Sequence, residues 1–135
     1  MSKKNKHEDW ANTIWIEPFD WPILLVTPSN FAKFKKHMKF HKCSKEFIAE
    51  CKVGMQYAIN GGGCFYSDAG CNYIMFLPDT YNETTTYHEC LHAAVHLWDR
   101  AGGNIKLPRN DEVLTYTQGY IVRLVKAHLY PSKEE

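Results

Sequence analysis

No part of this 135-residue chain stays apolar for long: its unbroken hydrophobic runs, such as Ile23 to Val26, end after a handful of residues. A membrane-crossing helix needs about 20 apolar residues, so that class is excluded. The first residues carry neither the apolar core nor the small-residue cleavage site of a secretory signal, and cytoplasmic residence is the expectation. Paired Cys-x-x-Cys motifs are also missing. The five cysteines, Cys43, Cys51, Cys64, Cys71 and Cys90, are odd in number, and without an export signal they imply reduced thiols rather than a disulfide framework. Gly61-Gly62-Gly63 has no following Lys-Ser/Thr, which argues against a phosphate-binding loop. Charge of one sign does not dominate either, the net charge being +1. The asymmetry is mild: residues 1–60 carry ten lysines against six acidic residues, and residues 61–135 six basic against nine acidic.

The chain does have enough apolar material, 44% of its residues, for one packed domain, and it is too short for two ordinary ones. A single domain over residues 1–135 is therefore expected, with a frayed polar start at 1–9. Trp10 to Glu17 and Ile23 to Thr27 read as two strands joined by a Pro-containing turn. Ser29 is placed to cap a helix whose Phe31, Phe34 and Met38 form one stripe, and a second short helix is expected from Ser44 to about Lys52. Met55 to Ile59 reads as a strand and the three glycines after it as a breaker. Cys64 to Ser67 and Cys71 to Leu77 read as a hairpin. A helix to about Arg100 follows, starting at Thr80 or at Thr86; the earlier start is preferred because a cap would hold Glu89 away from chemistry. Gly102-Gly103 ends it, and Asn110 caps a last helix to about Leu129. The fold class is α+β, a small, mostly antiparallel sheet packed on helices.

His88-Glu89-Cys90-Leu91-His92 has the pattern His-Glu-x-x-His. Residues four apart lie on one face of a helix, one turn apart, so two imidazoles converge on one ion while the intervening Glu stands beside it. A catalytic zinc needs three protein ligands and one open position. On the helical wheel Cys90, Leu91, Ala94, Val95, Leu97 and Trp98 form an apolar arc, and His92, His96 and Asp99 gather near His88, where orienting hydrogen-bond partners of a metal site are needed. Glu112, twenty residues after His92 in the first turn of the final helix, is the candidate third ligand. It shares a stripe with Tyr116, Gly119 and Arg123, and Gly119 is expected to allow close approach of the two helices. The neighbouring Asp111 is the rival.

In these residues, His88, Glu89, His92 and Glu112 within Asn110-Asp111-Glu112-Val113-Leu114-Thr115-Tyr116, the chain resembles the gluzincin zinc metallopeptidases in their minimal form, the minigluzincins, which include short phage-encoded members. The resemblance covers residues 72–123. It implies a zincin-like motif helix crossing a C-terminal glutamate helix, with one Zn²⁺ on His88, His92 and Glu112. It also implies an edge strand, here Asn72, Tyr73, Ile74 and Met75 through Leu77, that holds a peptide or protein substrate in extended form. Glu89 would then take a proton from a water acidified by the metal and pass it to the leaving amine. The oxyanion would be held by the metal and a donor for which Tyr116, His96 and Tyr87 are candidates. Where gluzincins often carry an Asp four residues after the ligand Glu, this chain has Tyr116.

A basic stretch, Lys33, Lys35, Lys36, Lys39, Lys42 and Lys45 with His37 and His41 among them, fits either a solvated helix face or a surface that tracks nucleic-acid phosphates. His37 and His41 have metal spacing, but no Cys-x-x-Cys completes a structural site. The alternative to a hydrolase is therefore a binding module in which zinc is structural and the lysine helix docks on nucleic acid or a partner protein.

Overall fold

The computed structural model describes residues 10–17, 21–68, 72–101 and 111–131. Expectations for the polar start at 1–9, the turn at 18–20, the hairpin tip at 69–71 with Cys71, and the connection 102–110 with its glycines and Asn110 lie outside the described residues.

Two apolar runs take the middle of the sheet. Strand β2 (Trp21–Val26) and strand β4 (Asn72–Phe76) are parallel neighbours, with Ile23 opposite Tyr73 and Val26 opposite Phe76. Strand β1 (Thr13–Ile16) pairs antiparallel with β2, and strand β3 (Cys64–Asp68) antiparallel with β4, giving the order β1-β2-β4-β3. Strands covered on both faces require apolar residues at successive positions, which is why Ile23 to Val26 and Tyr73 to Phe76 are unbroken. Alternation sends Ile23, Leu25, Tyr73 and Met75 to one face and Leu24, Val26, Ile74 and Phe76 to the other. Helices α1 (Phe31–Phe40) and α2 (Lys45–Ile59) cover the second face, and α3 (Glu83–Arg100) and α4 (Asp111–Leu129) the first.

The α+β class holds, and the sheet is mixed. Its parallel centre is absent from the expected, mostly antiparallel arrangement because parallel neighbours need a long crossover, and here α1, α2 and β3 together supply it. One consequence bears on function. The substrate-edge assignment to Asn72, Tyr73, Ile74 and Met75 is corrected: β4 is interior, flanked by β2 and β3, and the outer strand on the motif side is β3.

Met55 to Ile59 is helical rather than a strand. Cys51, Gly54, Met55 and Ala58 fall at i, i+3, i+4 and i+7 and are buried, a helical period that continues α2 beyond Lys52. Ser44, the expected start of this helix, is its cap, accepting a hydrogen bond from the Phe47 N–H at 3.1 Å. Its end is set by Gly61, whose φ of +87° suits glycine; the Gly62 N–H returns to the Tyr57 carbonyl at 2.8 Å and the Gly61 N–H to that of Ala58 at 3.1 Å. In α1 the residue before the first turn is Asn30, not Ser29, whose backbone N–H is engaged by Asp79 Oδ1 at 3.1 Å. The cap of α3 is Asn82, which accepts from the Thr85 N–H at 2.9 Å, so neither Thr80 nor Thr86 starts it. No described helix is long and apolar enough to cross a membrane.

Candidate metal and catalytic site

Helix α3 buries Thr86, Glu89, Cys90, Ala93, Ala94 and Leu97, an i, i+3, i+4, i+7, i+8, i+11 stripe against the sheet and α4. Glu89 therefore stands on the core side of the motif and is only 5% exposed. His88 and His92 are exposed beside it. Leu91 and Val95, expected in the apolar arc, are exposed as well, because the buried arc centres on the small Ala93 and Ala94, which let the helix lie close to the strands.

The two imidazoles converge. His88 Nε2 and His92 Nε2 are 3.2 Å apart and the rings cross steeply, at 80°. Two nitrogens each 2.0–2.1 Å from one tetrahedral zinc would be separated by about 3.3 Å, so the two Nε2 atoms have the spacing that such an ion requires. Glu89 Oε2 is 4.0 Å from His88 Nε2. Burial pushes the Glu89 carboxyl above its ordinary value, and positive charge on His88 and His92 acts in the opposite direction. Burial, and then the Glu89 charge, also raises the thiols of Cys64 and Cys90, the latter to about 12.

These groups line a cavity of about 310 Å³. His88, Glu89, His92 and His96 form one wall, Gly63, Cys64 and Phe65 at the start of β3 another, and Tyr57 of α2 completes it. The glycine is a steric requirement: a Cβ at position 63 would lie 2.8 Å from the Phe76 carbonyl oxygen, 2.9 Å from Glu89 Cγ and 2.9 Å from Thr85 Cγ2. Thr85 Oγ1 also donates to the Gly61 carbonyl at 3.1 Å, which ties this loop to the motif helix. Gly63→Ala is accordingly expected to destabilise the fold by about 1 to 3 kcal/mol through overpacking against backbone. An unchanged chemical-denaturation midpoint would show that the loop yields freely.

The other candidates are distributed differently. His96 lines the cavity, with its ring 5.4 Å from that of Phe65, and its carbonyl accepts from Tyr73 Oη at 3.3 Å. Glu112, Tyr116, Tyr87 and Asp99 are exposed and outside the cavity wall. The Tyr87 carbonyl accepts from Gln118 Nε2 at 2.7 Å, and Trp98 Nε1 donates to Thr117 Oγ1 at 2.9 Å, so α3 and α4 are joined directly. The face of α4 that packs inward carries Leu114, Ile121, Val122 and Val125, and Glu112 and Tyr116, two residues to either side of Leu114, fall on the opposite face. Tyr116 is 76% exposed. Gly119 does not serve close helix approach, since a Cβ there would meet nothing within 4 Å. Among the described residues no three His, Cys, Asp or Glu side chains are gathered as a ready metal cage.

Four wall residues, Tyr57, Gly63, Cys64 and Phe65, were not singled out in the sequence as parts of a site. The glycine run was the one visible signal, and it reads equally well as a helix stop. No protein-family model, curated protein or solved structure matches the chain.

Proposed function

We propose that the chain is a zinc-dependent peptide-bond hydrolase in which His88 and His92 hold the metal and Glu89 is the general base. The observation that carries this reading is the 3.2 Å convergence of the two Nε2 atoms beside a buried carboxylate, on the wall of a cavity that also reaches a strand edge. Two imidazoles and a carboxylate suit Zn²⁺; the carboxylate expected from the sequence, Glu112, stands exposed on the first turn of α4, outside the cavity wall, and would serve as third ligand only with that turn swung toward the histidine pair. Bound there, zinc would supply Lewis-acid polarisation of the scissile carbonyl and acidify the attacking water.

Glu89 is suited to take a proton. Its carboxyl is buried and held on a helix rather than a loop, with Oε2 4.0 Å from His88 Nε2, which fixes a proton acceptor beside the imidazole pair. The same group, once protonated, delivers that proton to the leaving amine. His96, on the cavity wall, is better positioned than Tyr116 or Tyr87 to meet the developing oxyanion. A peptide lying extended along the outer edge of β3, which pairs with no further strand among the described residues, would take main-chain hydrogen bonds from it.

The exposed Glu112, outside the cavity wall, favours a second reading: a binding module whose histidine pair takes a metal without turnover. Zinc affinity separates the two. Glu112→Ala is expected to weaken zinc binding far more than Asp111→Ala, whose main effect is loss of a helix-dipole interaction of about 0.3 to 1 kcal/mol. Equal affinities in both variants would remove Glu112 from the site. Incubating the zinc-loaded chain with a peptide library, read by mass spectrometry, tests hydrolysis itself; cleavage should stop with a chelator and return with zinc.

A further inference from the structure

The outer edge of β3 runs between two unlike walls. On one side α3 contributes His88, His92 and His96, all polar. On the other, α2 contributes Tyr57, which lines the same cavity and is 57% exposed. Val53, one turn earlier on that helix, is 58% exposed. The strand divides its side chains in the same way: Cys64 packs toward the α1 and α2 core and Phe65 toward the α3 and α4 core. An extended chain added to this edge must send alternate side chains to opposite walls. Every second residue is thereby directed at the imidazoles, and those between at Tyr57.

We infer that Tyr57 is a specificity-determining residue, selecting substrates that place an aromatic or large aliphatic side chain against α2 next to the catalytic groups. This rests on the hydrolase reading for the site's location. The chemistry is that of an exposed ring with an apolar neighbour one helical turn away: burying it under a small or charged side chain removes little apolar area from water, whereas a second ring or a branched chain removes the most.

The test uses Glu89→Gln protein with zinc, so that peptides bind without being cut. Fluorescence anisotropy is read with labelled, unstructured heptapeptides of Ala, Ser and Gly in which Phe or Leu is moved through each position. At one position Phe or Leu is expected to bind on the order of tenfold tighter than Ala. Adding Tyr57→Ala should bring that ratio close to one, and Tyr57→Phe should keep it. Discrimination that survives Tyr57→Ala, or no peptide binding at all, overturns the inference. The parent reading fails separately: discrimination lost with Tyr57→Ala while wild-type protein never cleaves the same peptides leaves the subsite standing and removes the hydrolase. Cleavage indifferent to Tyr57 does the reverse.

Discussion

Glu89→Gln is expected to keep zinc and fold while slowing peptide cleavage by about 10² to 10⁴, the usual contribution of a positioned general base. The amide has nearly the shape of the carboxylate and cannot accept the proton, so the loss should fall on turnover rather than on metal content, measured side by side by single-turnover kinetics and elemental analysis. Equal rates in the two proteins with zinc still present would remove Glu89 from the mechanism. A second consequence is independent of catalysis. The Glu89 carboxyl is raised mainly by burial, so the metal-free folded state favours its protonated form. That advantage is fully present below the unfolded value of about 4.3 and is lost as pH rises through the higher folded value. A glutamine does not titrate. In chelator, therefore, the variant should gain stability relative to wild type as pH rises from 4 towards neutrality, and a pH-independent difference would show that the buried carboxylate is compensated by some other group. An ionisable carboxyl in the core stripe of a helix is the kind of local conflict that functional sites carry.

Removing either imidazole should have the larger effect on the metal. Purified protein is expected to carry close to one zinc per chain, and His88→Ala or His92→Ala to lower affinity by more than about 100-fold, since loss of a mere orienting partner already costs 10- to 100-fold. Both side chains are exposed, so their truncation leaves no cavity in the core, and unfolding of the metal-free variants should match metal-free wild type. Full zinc occupancy in both variants would move the metal elsewhere and leave the 3.2 Å contact as an imidazole hydrogen bond.

The local features belonged to the sequence because they rest on spacing. His88, Glu89 and His92 on one helix ending at Arg100, the strand pairs around residues 13–26 and 64–76, and the helix start at Ser44 all follow from periods of 3.6 and 2 and from local turn signals. Met55 to Ile59 reads as a strand in the sequence and is helical in the fold, since five residues, with Gln56 among them, do not by themselves distinguish a strand from the last turns of a helix. What lies on which side was decided only by packing. Whether Leu91 or Ala93 faces the sheet depends on how closely α3 approaches the strands, and a wheel drawn from His88 does not contain that distance. β4 became interior because the crossover through α1 and α2 returned the chain beside β2, leaving β3 at the edge and bringing Tyr57, Gly63 and Phe65 to the motif from elements twenty or more residues away. Glu112 shows the same division. Its spacing from His92 is legible in the sequence, yet its direction follows from the Leu114, Ile121 and Val125 stripe that orients α4 against the core, a tertiary contact that spacing does not contain.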